Sequence, residues 1–449
     1  MPAERPGRNR LFQSQPTDPE FYATLWGSRR VTRPCRSDGA PGPVGPGSRS
    51  SPWSWSELRR RSGYLIALAA ALLVSQIALT SLTHSGETRP AGDTPVPPAA
   101  PTTTPSLPEL TVPAGLGRAT DPPDPSTFAV APTATDPVPV LLDADLTGGI
   151  DGTLTLALLA GYQNTGVVDL LGVTLSAAPP DAAAYGDVLT TFYRAGDTPI
   201  GIPDDGGAVT GTGVFVDPVL TDPARFPRDV TPDAPGVEGA VGLLRRRLAA
   251  AADNSVVLVS VGPATNLAGL LASPPDDALP VDGRTLVANK VRLLSVVAGD
   301  VDDPPPDPTV TADLGAAREV FAAWPSPMIV TPRALGSDLP LATDALVVMP
   351  RADTNPVLEA VRQQAANGLK VTFPYQQPSA GLVAALAAVE GDSGFITVGG
   401  PGQVVVADTG VIGFEPRDDG RSRLVQPPSE VTTAHAIQAR YRQMLGASE

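Results

Sequence analysis

The sequence predicts an α/β domain with a Rossmann-like, mostly parallel sheet covered by helices on both faces, preceded by one transmembrane helix and a proline-rich stalk. Three observations predict it. After Pro139, short and continuously apolar runs rich in Val and Leu alternate with segments of helical composition. Strands buried on both faces read this way, whereas half-exposed strands alternate apolar with polar residues. Residues 63–82, GYLIALAAALLVSQIALTSL, carry no charge, and as a helix at ~1.5 Å per residue they span the ~30 Å of a hydrocarbon core. Between the two, from Thr83 to Asp136, prolines recur every few residues among Thr and Ala, a composition that favours extended, semi-rigid polyproline II.

The elements follow in chain order. Residues 1–61 are rich in Arg, Pro, Gly and Ser without helical or strand periodicity, and are expected to be a disordered cytoplasmic arm. Residues 62–83 form the signal-anchor helix, because a preceding arm of some sixty residues is far too long for a signal-peptide n-region. The arm holds eleven arginines against five acids, with Arg59, Arg60 and Arg61 abutting the apolar run. That bias places the N-terminus in the cytoplasm and the remainder outside the membrane. Residues 84–136 are the linker and 137–449 the globular domain. There, 138–146, 167–177, 198–203, 255–262, 291–299, 327–332 and 403–408 read as strands, and 154–162, 180–195, 236–252, 264–272, 313–323, 354–367, 379–390 and 429–445 as helices.

Composition narrows the chemistry. The 449 residues are 42% hydrophobic, enough for a sizeable core, while 52 Pro and 44 Gly mark part of the chain as linker. A single cysteine, Cys35, excludes an internal disulfide framework or a cysteine-rich zinc site. Two histidines, His84 and His435, exclude sites built from clustered imidazoles. The net charge of −15 argues against a nucleic-acid partner bound through its phosphates.

Sites in parallel sheets form at the carboxyl ends of the strands. The first strand runs into Asp143, Asp145 and Asp151 around a glycine turn. Strand alternation puts Asp143 and Asp145 on the same side. Such a loop either holds a hard cation such as Ca²⁺ or Mg²⁺, or its carboxylates solvate the turn and cap the next helix.

The segment VLLDADLTGGIDGTLTLALL resembles the opening of the inosine/uridine-preferring nucleoside hydrolases, a strand followed by Asp-x-Asp, a glycine turn, adjacent aspartates and an apolar helix. The resemblance continues in register through DLLGVTLSA, VLTTFYRAGDTPIGIP, NSVVLVSVGPATNLAGLL, VRLLSVVAGD and DPTVTADLGAAREVF, and covers about residues 138–425. It implies hydrolysis of a nucleoside N-glycosidic bond by water, with Ca²⁺ clamping the ribose hydroxyls and an aspartate as base.

Residue by residue, the resemblance implies Asp145 as base and metal ligand, Thr265 as a metal ligand through its carbonyl, and Asp151, Asp307 and Thr309 as ribose-binding groups. Gly152 and Gln377 stand where the family has metal-binding carboxylates, and Gln376 where it has a His. Two neutral replacements weaken a Ca²⁺ site, whose affinity follows ligand charge. The readings left open are a membrane-tethered binding protein for a nucleoside-like or sugar-like ligand, with no cofactor; an N-ribohydrolase with an altered Ca²⁺ site completed by Asp204, Asp205, Asp300, Asp302, Asp303 or Asp392; and an envelope scaffold. The resemblance also raises oligomerisation.

Overall fold

Val138–Ala144 forms β1 in the interior of a ten-stranded sheet. The structure, a computed structural model, describes residues 136–447 apart from 178, 180, 197, 205–206, 209–210, 231–236, 278, 301–304 and 392–394. The expected arm, spanning segment and stalk lie outside the described residues. Among the described residues no helix is long and apolar enough to cross a membrane.

From β1 the chain builds outward in one direction through β2 (Val168–Leu175), β3 (Ile200–Ile202) and β4 (Glu238–Gly239). It then returns to the other side of β1 and adds β5 (Val256–Ser260), β6 (Val291–Val297) and β7 (Met328–Thr331). All of these neighbours pair in parallel. The reversal of strand order between β1 and β5 opens a crevice at their carboxyl ends. Two short strands, β8 (Leu341–Ala342) and β9 (Gln376–Gln377), pair separately.

The alternation along each strand explains why both faces are covered. Val140, Leu142, Val257, Val259, Leu293 and Ile329 join one apolar core, while Leu141, Leu258, Leu294, Met328 and Val330 join the other. The first core is roofed by α1 (Ile150–Asn164) and α2 (Ala182–Phe192). The second is roofed by α3 (Ala240–Ala250), α4 (Thr265–Ala272), α5 (Gly283–Lys290) and α6 (Leu314–Ala323). Later segments, α7 (Pro356–Gln363), α8 (Ala380–Glu390) and α9 (Val431–Leu445), return to the first face. Every residue of α8 is buried, which its Ala-rich sequence, with Gly381 near its start, permits by close packing against α1. At the far end of α8, Glu390 accepts from Tyr162 Oη at 2.5 Å and pairs with Arg440 of α9 at 2.8 Å. These bonds stitch the last helix to the first.

The mostly parallel sheet with helices on both faces is as the sequence predicts, with local differences. The expected helix 354–367 is α7, continued by a wider turn of helix over Gln364–Leu369. The expected strand 403–408 is the end of a longer β10 (Thr397–Val406). Beyond β10 the chain adds β11 (Ile412–Pro416) and β12 (Ser422–Gln426). β12 inserts between β7 and β10, parallel to the first and antiparallel to the second. Its SRLVQ sequence is too short and too polar at its ends to announce a strand.

Candidate functional site

The cleft lies at the strand-order reversal. Its volume is about 490 Å³, and its walls include Asp145, Asp151, Pro263, Thr309, Thr311 and Arg333.

Asp145 follows β1 directly. Its Oδ1 accepts from the backbone N–H groups of Thr147 at 3.0 Å and Gly148 at 2.8 Å, which closes the glycine turn. Its Oδ2 carries no hydrogen bond among the described residues. Asp143, expected on the same side, is instead wholly buried beneath the cleft. Its Oδ1 accepts from Thr174 Oγ1 at 2.7 Å and Asn266 Nδ2 at 2.8 Å, and its Oδ2 has no partner. The reason is geometric: the strand ends at Ala144, and Asp145 leaves the pleat with the turn. Burial pushes the Asp143 carboxyl up to about 6, against the opposing pull of the Asn266 and Thr174 hydrogen bonds.

Asp151 sits in the first turn of α1, facing the N-terminus of α8. The backbone N–H of Gly381 reaches both its oxygens, at 3.0 and 3.1 Å, and Ser379 Oγ also donates to it. Burial raises its pKa; Ser379, Gly381 and the charge of Arg333 oppose that rise. Asp151 is thus an intramolecular cap, favourably placed at a positive helix end.

Gly152 is a glycine by necessity. A Cβ there would overlap the carbonyl oxygen of Asp145 and lie 2.9 Å from its carbonyl carbon. A carboxylate at this position therefore cannot be accommodated without moving the turn.

Asp307 is wholly buried behind the cleft wall. It caps the short helix Pro308–Ala312, accepting from the backbone of Thr309 at 2.8 Å and Val310 at 3.1 Å. It also accepts from Gly299 N–H at 2.8 Å and pairs with Arg333 through Nε. Burial alone would raise its pKa, but the Arg333 charge and these hydrogen bonds outweigh it and hold the carboxyl below its ordinary value. Thr309 donates its hydroxyl to Asp307 at 2.5 Å and accepts from Arg333 Nη2 at 3.2 Å. Arg333 Nη1 makes no hydrogen bond among the described residues.

Thr265 opens α4 and is not among the cleft-lining residues; its hydroxyl donates to Asp313 at 2.7 Å. Gln377 is buried, accepting from Tyr375 Oη at 2.7 Å and donating to the Pro378 carbonyl at 2.6 Å. Of the other acids considered, Asp300 accepts from the backbone of Ala334 at 2.8 Å, and Asp204 stands beside Gly239. Asp205, Asp302, Asp303 and Asp392 lie outside the described residues. His435 is exposed on α9.

The structure therefore brings Asp145, Asp151 and Thr309 to one cleft, puts Asp307 behind Thr309, and leaves Thr265 aside. Sequence reasoning missed Arg333. The signal was present: it follows β7 by two residues, at the same strand end where Asp145 was found.

The described residues at the cleft do not fit a Ca²⁺ site. Ca²⁺ takes 6–8 oxygen ligands, several of them carboxylate. Here both oxygens of Asp151 are held by N–H and O–H donors, Asp307 is paired, and position 152 cannot carry a side chain. Among the described residues no group of three or more His, Cys, Asp or Glu is arranged to hold a metal.

No protein-family model matches the sequence, and a search of curated proteins returns no match. Solved structures do match. The chain is similar to a plant nucleoside hydrolase, PpNRh1, at 17% identity and a TM-score of 0.50, over 68% of this chain and 99% of that one. It is similar to an inosine-guanosine nucleoside hydrolase at 16% identity and 0.51, over 68% and 98%. It is also similar to the type III effector XopQ complexed with adenosine diphosphate ribose, at 15% identity and 0.51, over 70% and 95%. At such identities the likeness speaks to the fold. The domain has a nucleoside hydrolase-like fold, as the sequence resemblance implied.

Proposed function

We propose that this is a membrane-tethered protein that binds a nucleoside-like or other ribosyl ligand in the cleft outside the membrane, and hydrolyses it poorly or not at all. One observation carries the reading. The cleft's acids are mostly committed to holding the protein together, and its charged side chains keep two atoms without a partner among the described residues, Asp145 Oδ2 and Arg333 Nη1. One is an acceptor and the other a donor. A sugar diol matches both, with one hydroxyl donating to Asp145 and its neighbour accepting from Arg333. Val261, Pro263 and Ala312 supply apolar wall against which a base can lie. That one structural relative was solved with adenosine diphosphate ribose supports a ribosyl ligand.

Binding is easier to support than catalysis. Among the described residues, Asp145 is the cleft-lining carboxylate with a free oxygen to accept a proton from water. Departure of the base needs an acid, and Gln376 and Gln377 offer none. General acid–base catalysis contributes ~10²–10⁴-fold per group, so the lost acid alone leaves a slow site.

Isothermal titration of the protein with inosine and with adenosine diphosphate ribose tests this. Saturable binding to at least one, abolished by Asp145→Ala, is expected. Rapid release of free base during the titration would favour the N-ribohydrolase reading. No binding of either would favour the scaffold.

A further inference from the structure

We infer that the guanidinium of Arg333 takes the place of the divalent cation in this cleft, so that ligand binding there is metal-independent. The inference rests on the proposed ribosyl-binding role and specifies how such a ligand would be held.

Asp145 and Asp151 line the cleft and Asp307 lies just behind it. Three carboxylates around one cavity need a cation nearby. Arg333 is the cation that lines the cleft among the described residues. It is fixed, because Nε meets Asp307 and Nη2 reaches both Asp307 at 3.5 Å and Thr309 at 3.2 Å. Its field reaches Asp151. A guanidinium stays charged at every accessible pH and presents its donors in a rigid plane. With Asp307 and Thr309 fastening one edge, Nη1 has no partner among the described residues.

The same arrangement disfavours a metal. A divalent ion near Asp145 would be repelled by the fixed guanidinium. It would also have to displace the N–H and O–H donors on Asp151, and it would find no ligand at Gly152. The chemical consequence differs as well. A bound metal binds water directly and lowers its pKa. A guanidinium orients hydroxyl or phosphate oxygens by hydrogen bonds and has no coordination position for water. It therefore fits a site that holds a ligand without attacking it.

The test uses the full chain in detergent, with Ca²⁺ and adenosine diphosphate ribose as separate probes. Calcium titration of the wild type should give no saturable binding in the micromolar range. Arg333→Ala, which uncovers Asp307, should gain Ca²⁺ affinity at least about tenfold, in line with affinity following ligand charge. Arg333→Lys, which keeps the charge, should not. Adenosine diphosphate ribose affinity should be equal in chelator and in millimolar Ca²⁺, and Arg333→Ala should weaken it about tenfold or more. Micromolar Ca²⁺ binding by the wild type that disappears in Asp145→Ala would overturn the inference, as would Ca²⁺ affinity that is the same with and without Arg333. If the wild type binds neither inosine nor adenosine diphosphate ribose, the ribosyl reading fails, while the calcium arm still decides whether Arg333 excludes a metal. Should Arg333→Ala fail to fold by circular dichroism, the wild-type and Arg333→Lys titrations carry the test.

Discussion

Replacing Asp143 by Asn should stabilise the domain at neutral pH and flatten its pH dependence. Asp143 has no solvent exposure, and its Oδ2 has no partner. Burial lifts its pKa from 3.8 to about 6 in the folded protein, although Asn266 and Thr174 hydrogen-bond its other oxygen. In the unfolded chain the group ionises near its ordinary value. Between those two values the folded state holds a proton that the unfolded state has lost, so stability falls as pH rises through that window and stays lower above it. At ~1.4 kcal/mol per pKa unit, the shift corresponds to roughly 3 kcal/mol at pH 7. Asn at this position keeps the Oδ1 bonds to Thr174 and Asn266 and carries no charge. Its Nδ2 also has a nearby acceptor to seek, since Ser260 is its register partner on β5 and has a buried, unpartnered hydroxyl. Urea unfolding of residues 136–449 at a series of pH values is the assay. Wild-type stability should drop by up to roughly 3 kcal/mol as pH rises from about 4 to about 7 relative to Asp143→Asn, which should be the more stable protein at the upper end. Parallel pH profiles, or a variant less stable than wild type at neutral pH, would refute the assignment of Asp143 as a buried carboxyl under desolvation strain.

Other outcomes follow from the same geometry. Gly152→Ala places a Cβ against the Asp145 carbonyl and should cost about 3 kcal/mol or more, read by urea unfolding. Arg440→Ala leaves the buried Glu390 with Tyr162 as its remaining side-chain partner and should cost about 3 kcal/mol; a double-mutant cycle with Glu390→Gln should show strong coupling. Asp307, whose pKa is lowered on folding, stabilises the domain above its unfolded pKa, and that contribution is lost as pH falls through its folded value. Asp307→Asn should therefore narrow the stability gap to wild type in acid and widen it at neutral pH. Protease added to intact spheroplasts should remove epitopes beyond the stalk and spare the N-terminal arm; the reverse protection would contradict the expected topology.

What could be read from the sequence depended on whether a signal was local. β1, β5 and β6 are short runs rich in Val and Leu, and the end of β1 located Asp145 and Asp151 at the cleft. β12 and α5 were not legible, because SRLVQ and GRTLVANK are too short and mixed to show a period. Strand alternation paired Asp143 with Asp145 at the strand end, but Asp143 is buried while Asp145, past the end of the pleat at Ala144, lines the cleft. The resemblance made Asp307 and Thr309 sugar-binding groups, whereas in the fold both are engaged with Arg333 and with each other. That engagement joins separate segments, so no local pattern shows these bonds, although the place of Arg333 just past β7 marked it as a strand-end residue. Gly152 looked like a lost carboxylate; it is also a close contact between the start of α1 and the Asp145 turn, which no local pattern reveals.

Product formation decides between a binding cleft and a hydrolytic one. Purified protein is incubated with inosine and uridine in millimolar Ca²⁺ and, separately, in chelator, and free base is quantified by chromatography over many hours. No base above the protein-free blank is expected under either condition, from a protein that still binds a ribosyl probe. Steady release of base that chelator abolishes and Asp145→Ala removes would contradict it, and would show a working, metal-dependent hydrolase.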